Sequence, residues 1–222
     1  MVGGGENEKK MKILCLHGFR TSGSFIKKQI SKWDPSIFSQ FHMEFPDGKF
    51  AAGGKSDIDG IFPPPYFEWF QFDKDFTEYT NLEECITYLT EYIIANGPFD
   101  GFLGFSQGSK FRDPSICDVA YKDVIKAKSV HFIGEKDWLK IPSEELASAF
   151  EKPVIIRHPQ GHTVPRLDEV STDLLKNWVA EIVTGEKVGV SVCEHEKKEE
   201  VDSTNGMEIN MGNAETVVVA QA

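Results

Sequence analysis

Gly101-Phe102-Leu103-Gly104-Phe105-Ser106-Gln107-Gly108 is the stretch on which the reading of the chain turns: a short apolar run passes directly into the pattern G-x-S-x-G, from Gly104 to Gly108. A continuous apolar run of this length is the signature of a strand buried on both faces of a parallel sheet. A serine between two glycines directly behind such a strand belongs on a tight strand-to-helix turn. The glycines remove the Cβ atoms that would clash there and leave the Ser106 hydroxyl raised above the sheet edge. The bare motif is common in ordinary turns, so the strand in front of it carries the inference.

Working outward, residues 12–16 form a second apolar run, followed by His17-Gly18-Phe19-Arg20. Phe25, Ile26, Ile30 and Trp33 then recur at helical spacing, with Ser22 or Ser24 as the cap and a stop near Asp34-Pro35. A strand is expected over residues 41–45. Thr80 or Asn81 caps a helix whose Leu82, Ile86, Leu89 and Ile93 share one face, ended by Asn96-Gly97-Pro98. Further strands are expected over 129–133 and 154–157, with a short helix over 143–150 between them. Leu167, Val170, Leu174, Leu175, Trp178 and Val179 make the stripe of a closing helix, with Gly185 just past its end. Strands alternating with helices predict a doubly wound parallel α/β sheet.

Three loops at carboxyl ends of predicted strands carry Ser106, Asp137 and His162, in that order. Open α/β sheets place their sites at those ends, and this is the Ser, acid, His order of α/β-hydrolases. In such a constellation His162 takes the proton of Ser106 as it attacks an acyl carbonyl, and Asp137 orients the imidazole and stabilises its charged form. Backbone N–H groups of Gln107 and Phe19 are the expected oxyanion donors. Asp168 is the competing acid. His158, beside Pro159, reads as a solvated residue at a strand end. His158 and His162 are four apart, but Pro159 and Gly161 between them exclude the helical face a metal pair needs, so no metal site is expected.

Residues 51–79 have no clear period and concentrate aromatics around Pro63-Pro64-Pro65. Such a long irregular excursion inside a compact domain is commonly functional. It reads either as a satellite hydrophobic cluster or as the wall of an acyl-binding pocket, with Phe62, Tyr66 and Trp69 as the pocket residues.

Composition bounds the rest. A net charge of −11 argues against nucleic acid as a partner. No run approaches the eighteen or so apolar residues of a membrane span, and the start of the chain has no apolar core of a secretory signal. Cys15, Cys85, Cys117 and Cys193 are scattered without a C-x-x-C, which fits free thiols in a reducing compartment. The expectation is one soluble intracellular domain over 12–184, cytoplasmic and in part nuclear, behind a flexible N-terminus (1–11). Residues 185–222 carry eight acidic and three basic side chains and read as a disordered acidic tail, although the Val217 to Val219 run offers a peripheral strand or a partner-binding peptide.

Four segments together carry a resemblance: residues 13–19 (Ile-Leu-Cys-Leu-His-Gly-Phe), 64–69 (Pro-Pro-Tyr-Phe-Glu-Trp), 97–108 (Gly-Pro-Phe-Asp-Gly-Phe-Leu-Gly-Phe-Ser-Gln-Gly) and 161–166 (Gly-His-Thr-Val-Pro-Arg). The chain resembles the family of small serine hydrolases (FSH), in the form found in plant members, over residues 12–183. The resemblance implies an α/β-hydrolase fold, carboxylesterase-type activity on a small-molecule ester, a Ser106, Asp137, His162 triad and no cofactor. Some relatives are fused to dihydrofolate reductase, and nothing here looks like a reductase domain.

One stretch departs from that pattern. A nucleophile elbow feeds a helix whose positive end faces the oxyanion and whose apolar stripe packs on the sheet. Here Gly108 is followed by Ser109-Lys110-Phe111-Arg112-Asp113-Pro114, in which only Phe111 is apolar and Pro114 disfavours helix. The elbow helix and one central strand are therefore expected to be absent, as in a splice variant. The sheet then either keeps a gap or closes up by about 4.8 Å, displacing Asp137 from its partners. The expected protein is a serine hydrolase of impaired activity, or else a non-catalytic isoform acting by binding.

Overall fold

Along Met11–Leu16 (β1) the side chains alternate between two hydrophobic layers, and those layers organise the molecule. The computed structural model describes residues 10–74, 78–109, 123–185 and 217–221. Ile13 and Cys15 enter one layer with Ile26, Ile30, Trp33, Leu103, Val130, Phe132, Leu175 and Trp178. Leu14 and Leu16 enter the other with Trp69, Phe70, Leu82, Cys85 and Leu89. Each such side chain taken from water contributes about 1.5–3 kcal/mol, so a strand buried on both sides anchors both layers at once.

Among the described residues the sheet has six strands, all parallel, in the order β2-β1-β7-β10-β8-β9. They are β1, Phe41–Glu44 (β2), Gly101–Phe105 (β7), Lys128–Gly134 (β8), Val154–His158 (β9) and Val217–Gln221 (β10). Between β2 and β7 come two short antiparallel pairs, Phe50–Ala51 (β3) with Phe67–Glu68 (β4) and Gln71–Phe72 (β5) with Tyr79–Thr80 (β6). Gly23–Ile30 (α1) and Glu169–Thr184 (α4) supply the first layer, Leu82–Asn96 (α2) the second. Lys140–Ser148 (α3) follows β8, and Phe150 just beyond it meets His131 of β8 at 5.2 Å between ring centroids. The parallel α/β sheet predicted from the strand and helix alternation is thus observed.

Local chemistry explains the boundaries. The Ser22 hydroxyl accepts from the Phe25 N–H and caps α1. Asp168 does the same for α4 by accepting from the Ser171 N–H, and Gly185 closes that helix with φ +68°. Asn81 precedes α2 in a left-handed conformation and makes no side-chain cap. The buried face of α2 is Leu82, Cys85 and Leu89, while Ile86 is 40 % exposed, so the face runs through the cysteine rather than through Ile86 as expected. On α4, Val170 and Leu174 also turn outward, and Ile182 completes the buried stripe.

The end of the chain corrects two expectations. Residues 217–221 are not part of a disordered tail, nor a peripheral strand: β10 lies in the middle of the sheet, paired with β7 on one side and β8 on the other. The sheet therefore shows neither a gap beside β7 nor a closure of β8 onto it. Residues 186–216, 1–9 and 110–122 lie outside the described residues, and with them Cys117, Cys193 and most of the segment behind Gly108 from which the elbow helix is expected to be absent. The turn Ser106–Ser109 directly behind β7 is 3-10. Among the described residues no helix is long and apolar enough to cross a membrane.

Candidate active site

Ser106 stands at the end of β7 with φ +54°, a left-handed conformation that costs a non-glycine residue about 1–3 kcal/mol and marks a forced turn. Its glycines are required by close approach. A Cβ on Gly104 would sit 2.6 Å from the Gly108 carbonyl oxygen, and one on Gly108 would sit 2.4 Å from that of Leu16. Gly18 is held equally close: its added Cβ would lie 2.9 Å from the Phe105 ring and 3.4 Å from the Ser106 Cβ. The loop after β1 thus presses against the elbow and brings Phe19 beside it.

Two more strand ends complete the arrangement. His162 Nε2 lies 2.9 Å from the Ser106 hydroxyl and its Nδ1 3.0 Å from Asp137 Oδ2; a carboxylate only accepts, which makes Nδ1 the donor and leaves Nε2 to accept from Ser106. Asp137 is buried, and its Oδ1, 3.2 Å from the same Nδ1, also accepts from the Leu139 N–H at 2.8 Å, which fixes the carboxylate. The imidazole ring lies between Phe105, 5.1 Å away, and the exposed Trp138, 5.7 Å away. The displacement of Asp137 expected from the sequence is not observed; all three side chains are in hydrogen-bond contact. Asp168, the competing acid, is occupied as the cap of α4. His158 is buried at the end of β9 rather than solvated, and burial holds its pKa below the ordinary histidine value.

A cavity of about 450 Å³ opens onto Ser106 and His162. Phe19 and Gln107, expected as oxyanion donors, both line it, and its walls are otherwise mostly apolar: Phe25, Ile58, Phe70, Phe72, Tyr79 and Val164 among them. The three residues expected to form the pocket do not. Trp69 is fully buried one layer down, its ring 4.8 Å from His17 and its Nε1–H donating to the His17 carbonyl. Phe62 packs edge-on behind Phe25 at 5.2 Å, and Tyr66 donates its hydroxyl to the Phe62 carbonyl. The aromatic excursion does supply a wall, but through Phe70, Phe72 and Tyr79 around the β5 and β6 pair. The alternation Phe70, Phe72 was the available signal.

Two polar networks bind the excursion to the site. The buried Glu68 carboxylate accepts from Arg20 Nε at 2.7 Å, from Gln71 Nε2 at 2.9 Å and from the Gly53 N–H at 3.2 Å, so its charge is paired and hydrogen-bonded. The Gln107 side chain accepts from the Trp69 N–H and donates to the Phe70 carbonyl. Below the elbow, His17 accepts from the Gly48 N–H at 2.9 Å, and burial pushes its pKa down to about 4, so the ring is neutral.

Fold and geometry together define an α/β-hydrolase-type protein with a serine at the elbow. The family model described as serine hydrolase (FSH1) matches residues 7–113 and 108–174, and the chain belongs to that family. Among curated relatives, esterase OVCA2 of Xenopus tropicalis is 29 % identical, with 73 % of this chain and 89 % of that protein covered. A dihydrofolate reductase of Schizosaccharomyces pombe is 24 % identical over 71 % of this chain; the chain spans 44 % of that protein. Of solved structures, a single-substitution variant of Arabidopsis thaliana SOBER1 superposes with a TM-score of 0.50 at 15 % identity, covering 78 % of this chain and 99 % of that one. A carboxylesterase from Mesorhizobium loti gives 0.50 at 13 %, covering 78 % and 90 %. At those identities the likeness is one of fold.

Proposed function

We propose that this chain hydrolyses carboxylic esters with apolar acyl groups, with Ser106 as nucleophile, His162 as general base and then acid, and Asp137 as the group that orients it. The observation that carries the proposal is the continuous hydrogen-bonded path from Ser106 Oγ through His162 to the buried Asp137, at 2.9 and 3.0 Å, on the floor of an apolar cavity. As Ser106 Oγ bonds to the acyl carbon, its proton passes to His162 Nε2, and the carbonyl electrons move onto oxygen. The N–H groups of Gln107 and Phe19 meet that oxyanion. Collapse expels the alcohol, which takes the proton from His162. A water molecule, deprotonated by His162, then attacks the acyl-serine; as the acyl C–O bond breaks, His162 returns that proton to Ser106 Oγ and the acid leaves.

The same distances support a site able to turn over, against the impairment expected from the sequence. The test is steady-state hydrolysis of p-nitrophenyl acyl esters of increasing chain length. Turnover dependent on Ser106, Asp137 and His162, improving with acyl length until the cavity is filled, is the expected result. Turnover that survives Ser106→Ala would overturn the proposal.

A further inference from the structure

The loop that carries Asp137 and the turn that carries Ser106 extend from β8 and β7, which are not neighbours in the sheet. Between them lies β10, in register with both: Val217 is paired with Gly101 on one side and Lys128 on the other, and Ala220 with Gly104 and His131. Neighbouring strands are about 4.8 Å apart, so β10 sets the distance between the nucleophile strand and the acid strand at about two spacings. Between Phe105 and Lys128, the described residues contain no strand that could take this place. The family match itself falls into two segments that overlap at residues 108–113, directly behind the elbow.

We infer that the C-terminal segment Val217–Gln221 is an active-site component of this chain: it is inserted in the sheet as a replacement central strand, and hydrolysis requires it to be docked. The inference rests on the hydrolase reading above. Residues 217–221, Val-Val-Val-Ala-Gln, form an uncharged run rich in β-branched residues, with neither glycine nor proline, as a central parallel strand demands. A parallel connection needs about a dozen residues or more, and the thirty-one residues 186–216 exceed that. Every N–H of a strand with two neighbours pairs to one side or the other, so the backbone of the segment, and not a particular side chain, does the docking. With β10 absent, β8 either moves inward by about 4.8 Å or borders a gap. An error of about 1 Å in catalytic geometry can cost on the order of a hundredfold in rate; the inward shift exceeds that, and a gap leaves the spacing between the Ser106 and Asp137 strands unheld.

The test uses the full chain, a chain ending at Thr216, and a peptide of residues 215–222. Thermal melting and the rate of Ser106 labelling by a fluorophosphonate are followed, together with amide hydrogen exchange at residues 218–220. The full chain is expected to be monomeric, with those amides protected like those of β7. The shortened chain should melt lower and label at least tenfold more slowly. Adding the peptide in excess should restore both, and the same peptide with Val218→Pro should not. Three results would overturn the inference: a shortened chain that melts and labels like the full one, a loss the peptide does not restore, or residues 218–220 exchanging at free-peptide rates. Labelling that rises with protein concentration and accompanies dimers would show the strand coming from a second copy, and would overturn its assignment to the same chain. If no chain labels at Ser106 but the melting and exchange results hold, the hydrolase reading fails and the inserted strand stands.

Discussion

The Gln107 side chain is bonded to the backbone at Trp69, accepting its N–H at 3.0 Å, and the same amide donates Nε2–H to the neighbouring Phe70 carbonyl at 2.6 Å. Gln107 sits one residue past the nucleophile, so these bonds tie the elbow to the aromatic wall of the cavity. Replacing it with Met keeps the volume but leaves the buried Trp69 N–H without its acceptor, at about 1–3 kcal/mol, and removes the bond to the Phe70 carbonyl as well. Gln107→Met should lower the melting temperature by about 5 °C or more and slow ester turnover further than the stability loss explains. Differential scanning calorimetry beside steady-state kinetics checks this; a variant unchanged in both would contradict the coupling.

Gly18 predicts a functional loss that is larger than the structural one. The methyl group of Gly18→Ala would press on the Phe105 ring, which also packs on His162, and would come within contact of Ser106. A shift of a few tenths of an ångström there should cut kcat by about 10- to 100-fold while the melting temperature falls only a few degrees. Gly108→Ala is the severe comparison, because its Cβ would meet the Leu16 carbonyl oxygen at 2.4 Å, and backbone cannot yield as a ring can. That variant should be recovered mainly as unfolded protein.

The buried histidines predict acid sensitivity. Burial pushes both His17 and His131 down to about 4. The unfolded chain binds protons at these rings from about pH 6.5 downward and the folded chain does not until about pH 4, so stability is full above pH 6.5 and falls as the pH drops between those values. At pH 5 each ring should remove on the order of 2 kcal/mol. Urea denaturation at pH 7 and pH 5 measures the loss, and His131→Phe should remove roughly half of it. Equal stability at the two pH values would contradict the neutral, buried assignment.

Trp138 predicts an effect confined to substrate. Its side chain is 64 % exposed at the cavity rim, yet its ring lies beside His162. Trp138→Ala should leave melting unchanged and raise KM several-fold for esters with bulky acyl groups, with kcat changed by less than about threefold. A large fall in kcat at constant KM would instead place Trp138 in the orientation of the imidazole.

The sequence announces the site better than its surroundings, for a physical reason. Ser106, Asp137 and His162 each follow an apolar strand, and a parallel sheet brings the carboxyl ends of its strands to one edge whatever the details between them. The strands could be read for the same reason: a run buried on both faces, such as residues 12–16, has no polar alternative. Phe62, Tyr66 and Trp69 are not legible as lying off the cavity because the excursion has no period from which to tell inward from outward rings; the facing is set by two-residue strand pairs and by the bonds of Arg20 to Glu68 and of Gln107 to Trp69 and Phe70, between partners 37 to 48 residues apart. Ile86 lies off the buried face of α2 because Cys85, a small side chain with no strong pull on the pattern, carries that face. The place of Val217–Gln221 was the least legible, since a strand at the end of the chain takes its position from a vacancy in the sheet and from no local pattern.

The central claim is that Ser106 is a nucleophile activated by His162. Its most direct measurement is fluorophosphonate labelling of the full chain, with the modified peptide identified by mass spectrometry. The account predicts a single adduct on Ser106, absent in Ser106→Ala and slowed at least a hundredfold in His162→Ala. An intact, folded chain that takes no label, or takes it on a residue other than Ser106, would contradict it.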